Sequence, residues 1–186
     1  ILGALSVRSI VRFAIAVVTF AAISWLYFYP NDVNGDVLQQ SDVMQGVADG
    51  QEILDYANKT GEISRWTDAL FGGMPTFQIR PTYSSTPLIS WVGNVYSLEF
   101  PSPVSWIFIM MLGFFILMLS FKVKWYLAIL GGIAYGFSSY FFILIGAGHI
   151  WKLLTLAYIP PTIAGIVWCY RGKYLGGAAL AALFAA

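Results

Sequence analysis

Apolar residues run almost without interruption through four stretches of this chain: Ile10 to Tyr29, Pro103 to Phe121, Trp125 to Ile145, and Leu153 to Tyr170. A fifth run opens at Tyr174. A hydrocarbon core of about 30 Å is crossed by about 20 mostly apolar residues, so each complete run predicts a membrane-spanning helix. Between the first two runs the pattern changes. Val37, Leu38, Val43, Met44, Val47, Ile53 and Leu54 recur at roughly helical spacing among polar residues, which predicts one or two amphipathic helices within Val37 to Asn58, lying on the membrane surface. Trp66, Leu70, Phe71, Met74, Phe77 and Ile79 then form a second apolar group, punctuated by glycine and proline turns. The predicted fold is an all-α polytopic bundle with a long loop, residues 30–102, between its first two spans.

Composition agrees with the bilayer as solvent: of 186 residues, 59% are hydrophobic and only 10% are charged. A chain that starts at Ile1 and stops inside an apolar run is expected to be the N-terminal part, 1–186, of one larger membrane domain. The net charge of +1 comes without any basic cluster, which argues against nucleic acid as a partner. Cys169 is the single cysteine, so neither an internal disulfide nor a thiolate zinc site is available.

The placement of charge gives an orientation. Arg8 and Arg12 stand at the N-terminal end of the first run, Lys122 and Lys124 follow the second, and Arg171 and Lys173 follow the fourth. Basic residues mark cytoplasmic ends, and one alternating topology satisfies all three pairs, with the N-terminus inside. That topology puts residues 30–102, which hold all nine acidic side chains, and the turn Gly146 to Lys152 on the non-cytoplasmic face. The expected location is a bacterial inner membrane, crossed several times. Trp25, Tyr27, Tyr29, Trp106, Trp125, Tyr126, Trp151, Trp168 and Tyr170 sit at run ends, as an interfacial aromatic belt does. The first run is too long for a cleavable signal peptide, and no small-residue cleavage site follows it.

Candidate chemistry is confined to two places. Asp32-Val-Asn34-Gly-Asp36 opens like a calcium loop, but Val37 and Val43 stand where the turn glycine and closing glutamate belong. Asp36 is expected instead to cap a helix starting at Val37. Asn58-Lys-Thr60 is a glycosylation sequon with meaning only in a eukaryotic host. Asp42 and Gln45, three residues apart, share one side of a helix, where a carboxylate is placed to act as general base or to hold a divalent metal. In the turn Gly146 to Lys152, His149 and Lys152 also stand three apart, behind a glycine-rich approach to a helix N-terminus that suits an anionic group such as phosphate.

The order of these segments resembles a known family. Gln39-Gln-Ser-Asp42-Val-Met-Gln45-Gly46 is followed by Gly61-Glu-Ile-Ser-Arg-Trp66, Phe71-Gly-Gly-Met-Pro75, Tyr135-Gly-Phe-Ser-Ser-Tyr140 and Gly148-His149-Ile-Trp-Lys152. This set is similar to the N-terminal part of the YfhO-like bacterial membrane proteins of Bacteroidetes type. The resemblance implies a GT-C-like fold and a glycosyltransferase that moves a sugar from a polyprenyl-phosphate donor to a cell-envelope acceptor on the outer face. It places the base, or a metal ligand, at Asp42 with Gln45 beside it, and Asp36 as the less favoured alternative. His149, Lys152 and Arg80 would contact the donor phosphate. Its partners would be the lipid-linked donor and membrane lipids.

Two other classes fit the same pattern. A transporter or flippase of a lipid-linked substrate is expected to carry charges inside its spans, and none lies near the middle of the four complete runs. A non-catalytic membrane scaffold is compatible with the acidic, aromatic outer loop.

Overall fold

The computed structural model describes residues 6–79 and 86–185. Nine α-helices, a short 3-10 helix (Thr76–Gln78) and one hairpin of two-residue strands are found among them: α1 (Val7–Asn34), α2 (Ser41–Asp49), α3 (Gln51–Thr60), β1 (Trp66–Thr67), β2 (Met74–Pro75), α4 (Thr86–Tyr96), α5 (Val104–Ser120), α6 (Trp125–Gly136), α7 (Ser139–Ala147), α8 (Ile150–Tyr170) and α9 (Tyr174–Ala185). The chain is an all-α protein in its described part apart from that hairpin. Helices α1 and α8 are each long and apolar enough to cross a membrane. Helices α6 and α7, bent by 42° at a short break, make a third candidate if they form one span.

Each expected span has a helical counterpart, with different edges. The first helix runs past Tyr29 and through Pro30 to Asn34. The second, α5, is a 17-residue helix, shorter than the usual spanning length, and α9 is described from Tyr174 to Ala185. The third breaks at Phe137 and Ser138, where Ser138 is extended and starts the next helix. The polar loop departs further from expectation. Residues 36–40 are not helical, Val37 is 90% exposed, and the first surface helix begins only at Ser41. Asp36 therefore caps no helix; the N-cap position of α2 is Gln40. The expected second apolar group is also open, with Trp66, Phe71 and Phe77 all exposed.

The core forms around α5, whose residues Ile107 to Gly113 are all buried and which packs against α1, α6 and α8. Phe20, Phe108 and Phe115 fill its centre, with Phe20 and Phe115 meeting edge to face at 5.7 Å. Close helix approach depends on small residues. A Cβ on Gly165 would lie 2.5 Å from the Ala181 nitrogen and 2.6 Å from the Gly177 oxygen, so α8 and α9 touch backbone to backbone.

A proline in α8 creates one of the polar contacts between helices. Pro160 lacks the N–H that would reach back four residues to the Leu156 carbonyl. The Tyr135 hydroxyl of α6 donates to that carbonyl instead, at 3.1 Å. Pro161 frees the Ala157 carbonyl in the same way, and Gly113 of α5 abuts it. Tyr135→Phe removes the replacement donor and is expected to destabilise the bundle by about 1 kcal/mol. Thermal unfolding in detergent checks this, and an unchanged midpoint would show that Leu156 needs no partner.

The loop has its own organising residue. Glu52 of α3 accepts hydrogen bonds from the Thr67 hydroxyl and from the Asp68 and Ala69 amides, the latter two at 3.0 Å. It thereby fixes the hairpin, in which β1 and β2 pair antiparallel, to the surface helix.

Candidate functional site

The corner between α7 and α8 is made by Gly148. It takes φ +91°, a left-handed conformation that ends α7, and its N–H donates to the Leu144 carbonyl at 3.0 Å. A Cβ there would meet Gln40 Cβ at 3.0 Å and the Val43 nitrogen at 3.2 Å, so glycine also lets the start of α2 rest on the corner. Two side chains hold it. Gln40, only 7% exposed, donates from Nε2 to the Ile145 carbonyl, and the Ser41 hydroxyl lies 3.4 Å from the Ala147 carbonyl. Both contacts are to carbonyls of the last turn of α7, of which Ile145 also accepts from the Gly148 N–H at 3.3 Å.

This docking brings together residues more than a hundred positions apart in the chain. His149, at the N-cap position of α8, brings Nδ1 to 2.7 Å from Asp42 Oδ2. Lys152, within the first turn of α8, has its ammonium 5.6 Å from the Tyr140 ring centre. All three line a cleft of about 880 Å³ whose remaining wall is mostly apolar, including Val43, Val47, Leu54, Ile79 and Trp151. A carboxylate, an imidazole and an ammonium thus meet beside an apolar surface, an arrangement suited to an amphiphile with a charged head.

The other expected site residues lie apart. Gln45 is exposed on α2 and does not line the cleft. The cleft face of that helix is Asp42, Val43, Gly46, Val47 and Gly50, and Gln45 falls about 130° around the helix from the middle of it. Asp36 sits exposed in the linker before α2, outside the cleft lining. Arg80 lies outside the described residues. Gln40 and Ser41 stand in the segment carrying the family resemblance, but only their contacts with α7 reveal a role. A pairing across 105 residues leaves no mark in local spacing.

Among the described residues no group of three or more His, Cys, Asp and Glu side chains is placed to share a metal. Asp42 and His149 alone would offer a divalent cation two donors, leaving the rest of its oxygen shell to phosphate and water. No known protein family, curated protein or solved structure matches this chain.

Proposed function

We propose that this chain belongs to a membrane glycosyltransferase of the GT-C, YfhO-like kind. It transfers a sugar from a polyprenyl-phosphate donor to a cell-envelope acceptor on the non-cytoplasmic face of a bacterial inner membrane, with its N-terminus in the cytoplasm. The observation that carries this reading is the Asp42 to His149 contact of 2.7 Å at the edge of a largely apolar cleft that also holds Lys152.

The residues divide the chemistry as follows. Asp42 takes the proton of the acceptor hydroxyl as its oxygen bonds to the anomeric carbon. The bond from that carbon to the phosphate oxygen breaks, and its electron pair leaves with the polyprenyl phosphate. Lys152, with His149 held in orientation by Asp42, offsets the charge that collects on the departing phosphate. The apolar wall from Val43 to Leu54 accommodates the first carbons of the lipid tail. Attack opposite the leaving group inverts the sugar configuration. Gln45, pointing off this face, takes no part in the step.

Cells lacking the protein are expected to lose one sugar from an envelope glycan and to accumulate its polyprenyl-phosphate donor. Mass spectrometry of both pools reads the result. An unchanged glycan with an unchanged donor pool contradicts the transferase reading, whereas an unchanged glycan with lipid donor trapped on the cytoplasmic side favours a flippase.

A further inference from the structure

The opposite end of the bundle carries a second cleft, of about 990 Å³, between α1, α5, α6, α8 and α9. Arg12 and Lys124 are its charged lining residues, and no carboxylate lines it. Neither cation makes an ion pair among the described residues, where the Asp42 to His149 contact is the single one within 4.0 Å. The surroundings are basic as well: Arg8, Lys122, Arg171 and Lys173 lie at the same helix ends, and the Arg171 guanidinium donates to the Ser120 carbonyl at the end of α5. The rest of the lining is largely apolar, with Phe13, Ile116, Leu119 and Leu180, and it includes the aromatics Trp125, Tyr126 and Trp168. Tryptophan and tyrosine favour the headgroup level of a bilayer, so this cleft opens where a lipid's phosphate and upper acyl chain would lie.

We propose that this cleft is a binding site for one anionic phospholipid. Its phosphate sits between Arg12 and Lys124, and an acyl chain runs along Phe13, Ile116, Leu119 and Leu180. Two unpaired cations over an apolar wall complement an anionic amphiphile and leave a zwitterionic or uncharged one without charge complementarity. The site is distinct from the Asp42 cleft. The two lie at opposite ends of the 21-residue helix α8, which bears His149 and Lys152 at its start and Trp168 near its end, about 30 Å away. It therefore belongs to the other leaflet and stands whether or not the chain is a transferase.

The test offers the full-length protein, purified in a mild detergent, equal amounts of phosphatidylglycerol, phosphatidylcholine and diacylglycerol with identical chains. Native mass spectrometry counts the lipid retained. Phosphatidylglycerol is expected to be retained about tenfold over the other two, since each basic side chain adds to the attraction. Arg12→Gln with Lys124→Gln should abolish the preference, and Arg12→Lys with Lys124→Arg should keep it. Leu180→Trp fills the cleft with every cation in place and should lower phosphatidylglycerol retention alike, which covers the case in which the neutral pair fails to fold. Equal retention of the three lipids by the unmodified protein overturns the proposal. So does full phosphatidylglycerol preference in a folded neutral pair or in the tryptophan variant.

Discussion

Asp42→Asn is expected to lower sugar transfer by about 10² to 10⁴, the usual contribution of a positioned general base. The substitution keeps the size of the side chain, and an amide oxygen can stand opposite His149 Nδ1 as the carboxylate does, so the packing of the pair is kept while the basic oxygen is lost. Stability should change little. The Asp42 and His149 side chains are 47% and 52% exposed, and contacts between groups that open to solvent contribute weakly to folding. The loss therefore reads as chemistry, with the rate falling and the amount of inserted protein unchanged. Transfer at the original rate would remove Asp42 from the reaction and leave its contact with His149 as a structural tie between α2 and α8.

Lys152→Ala is the second large effect. A hydrogen bond to a charged group contributes about 1.5 to 3 kcal/mol, so losing the ammonium should weaken donor use by about tenfold to a hundredfold. Acceptor dependence should stay as it is, because Lys152 faces the phosphate and Asp42 the hydroxyl in the proposed arrangement. Lys152→Arg restores the charge and should recover part of the loss. Rates measured across donor concentrations at fixed acceptor separate these outcomes, and an unaltered donor dependence would take Lys152 out of the site. The contact of its ammonium with Tyr140 gives the side chain a resting position near the cleft, which favours a preformed phosphate site.

Hydrophobic patterning made the helices legible, because the length and apolarity of a run are local properties. Helices α1, α5, α8 and α9 begin or end within a few residues of the expected edges, apart from the extension of α1 through Pro30. The break between α6 and α7 was passed over: the hydropathy of the run from Trp125 to Ile145 averages across Gly136 and Ser138-Ser139, which stand where the 42° bend falls and where Ser138 starts α7. The surface helices were legible as amphipathic, but their start was not. Val37 and Leu38 fit the helical spacing of Val43 and Val47, yet they belong to the linker, and the helix starts where Gln40 and Ser41 find carbonyls at the end of α7.

The site was legible in the same uneven way. His149 and Lys152 stood out as polar residues at a predicted helix start and Asp42 as a carboxylate on a predicted amphipathic helix, and the fold gathers them around one cleft. Pairing Asp42 with Gln45 rested on a three-residue spacing and on the Asp-x-x-Gln of the family resemblance. The neighbour at four, Gly46, proves to share the cleft face, since that face is set by where α8 packs and not by α2 itself. The positioning work of Gln40 and Gly148 was hidden because it exists only after α2 meets the α7 to α8 corner.

The most direct measurement is transfer by the full-length protein reconstituted in vesicles, supplied with a polyprenyl-phosphate donor carrying a labelled sugar and with an envelope-glycan acceptor. The unmodified protein is expected to move label to the acceptor and to release polyprenyl phosphate in equal amount, and Asp42→Asn at matched insertion to do neither above about one part in a hundred. Equal rates from the two proteins, or no released polyprenyl phosphate from the unmodified one, would contradict the transferase reading.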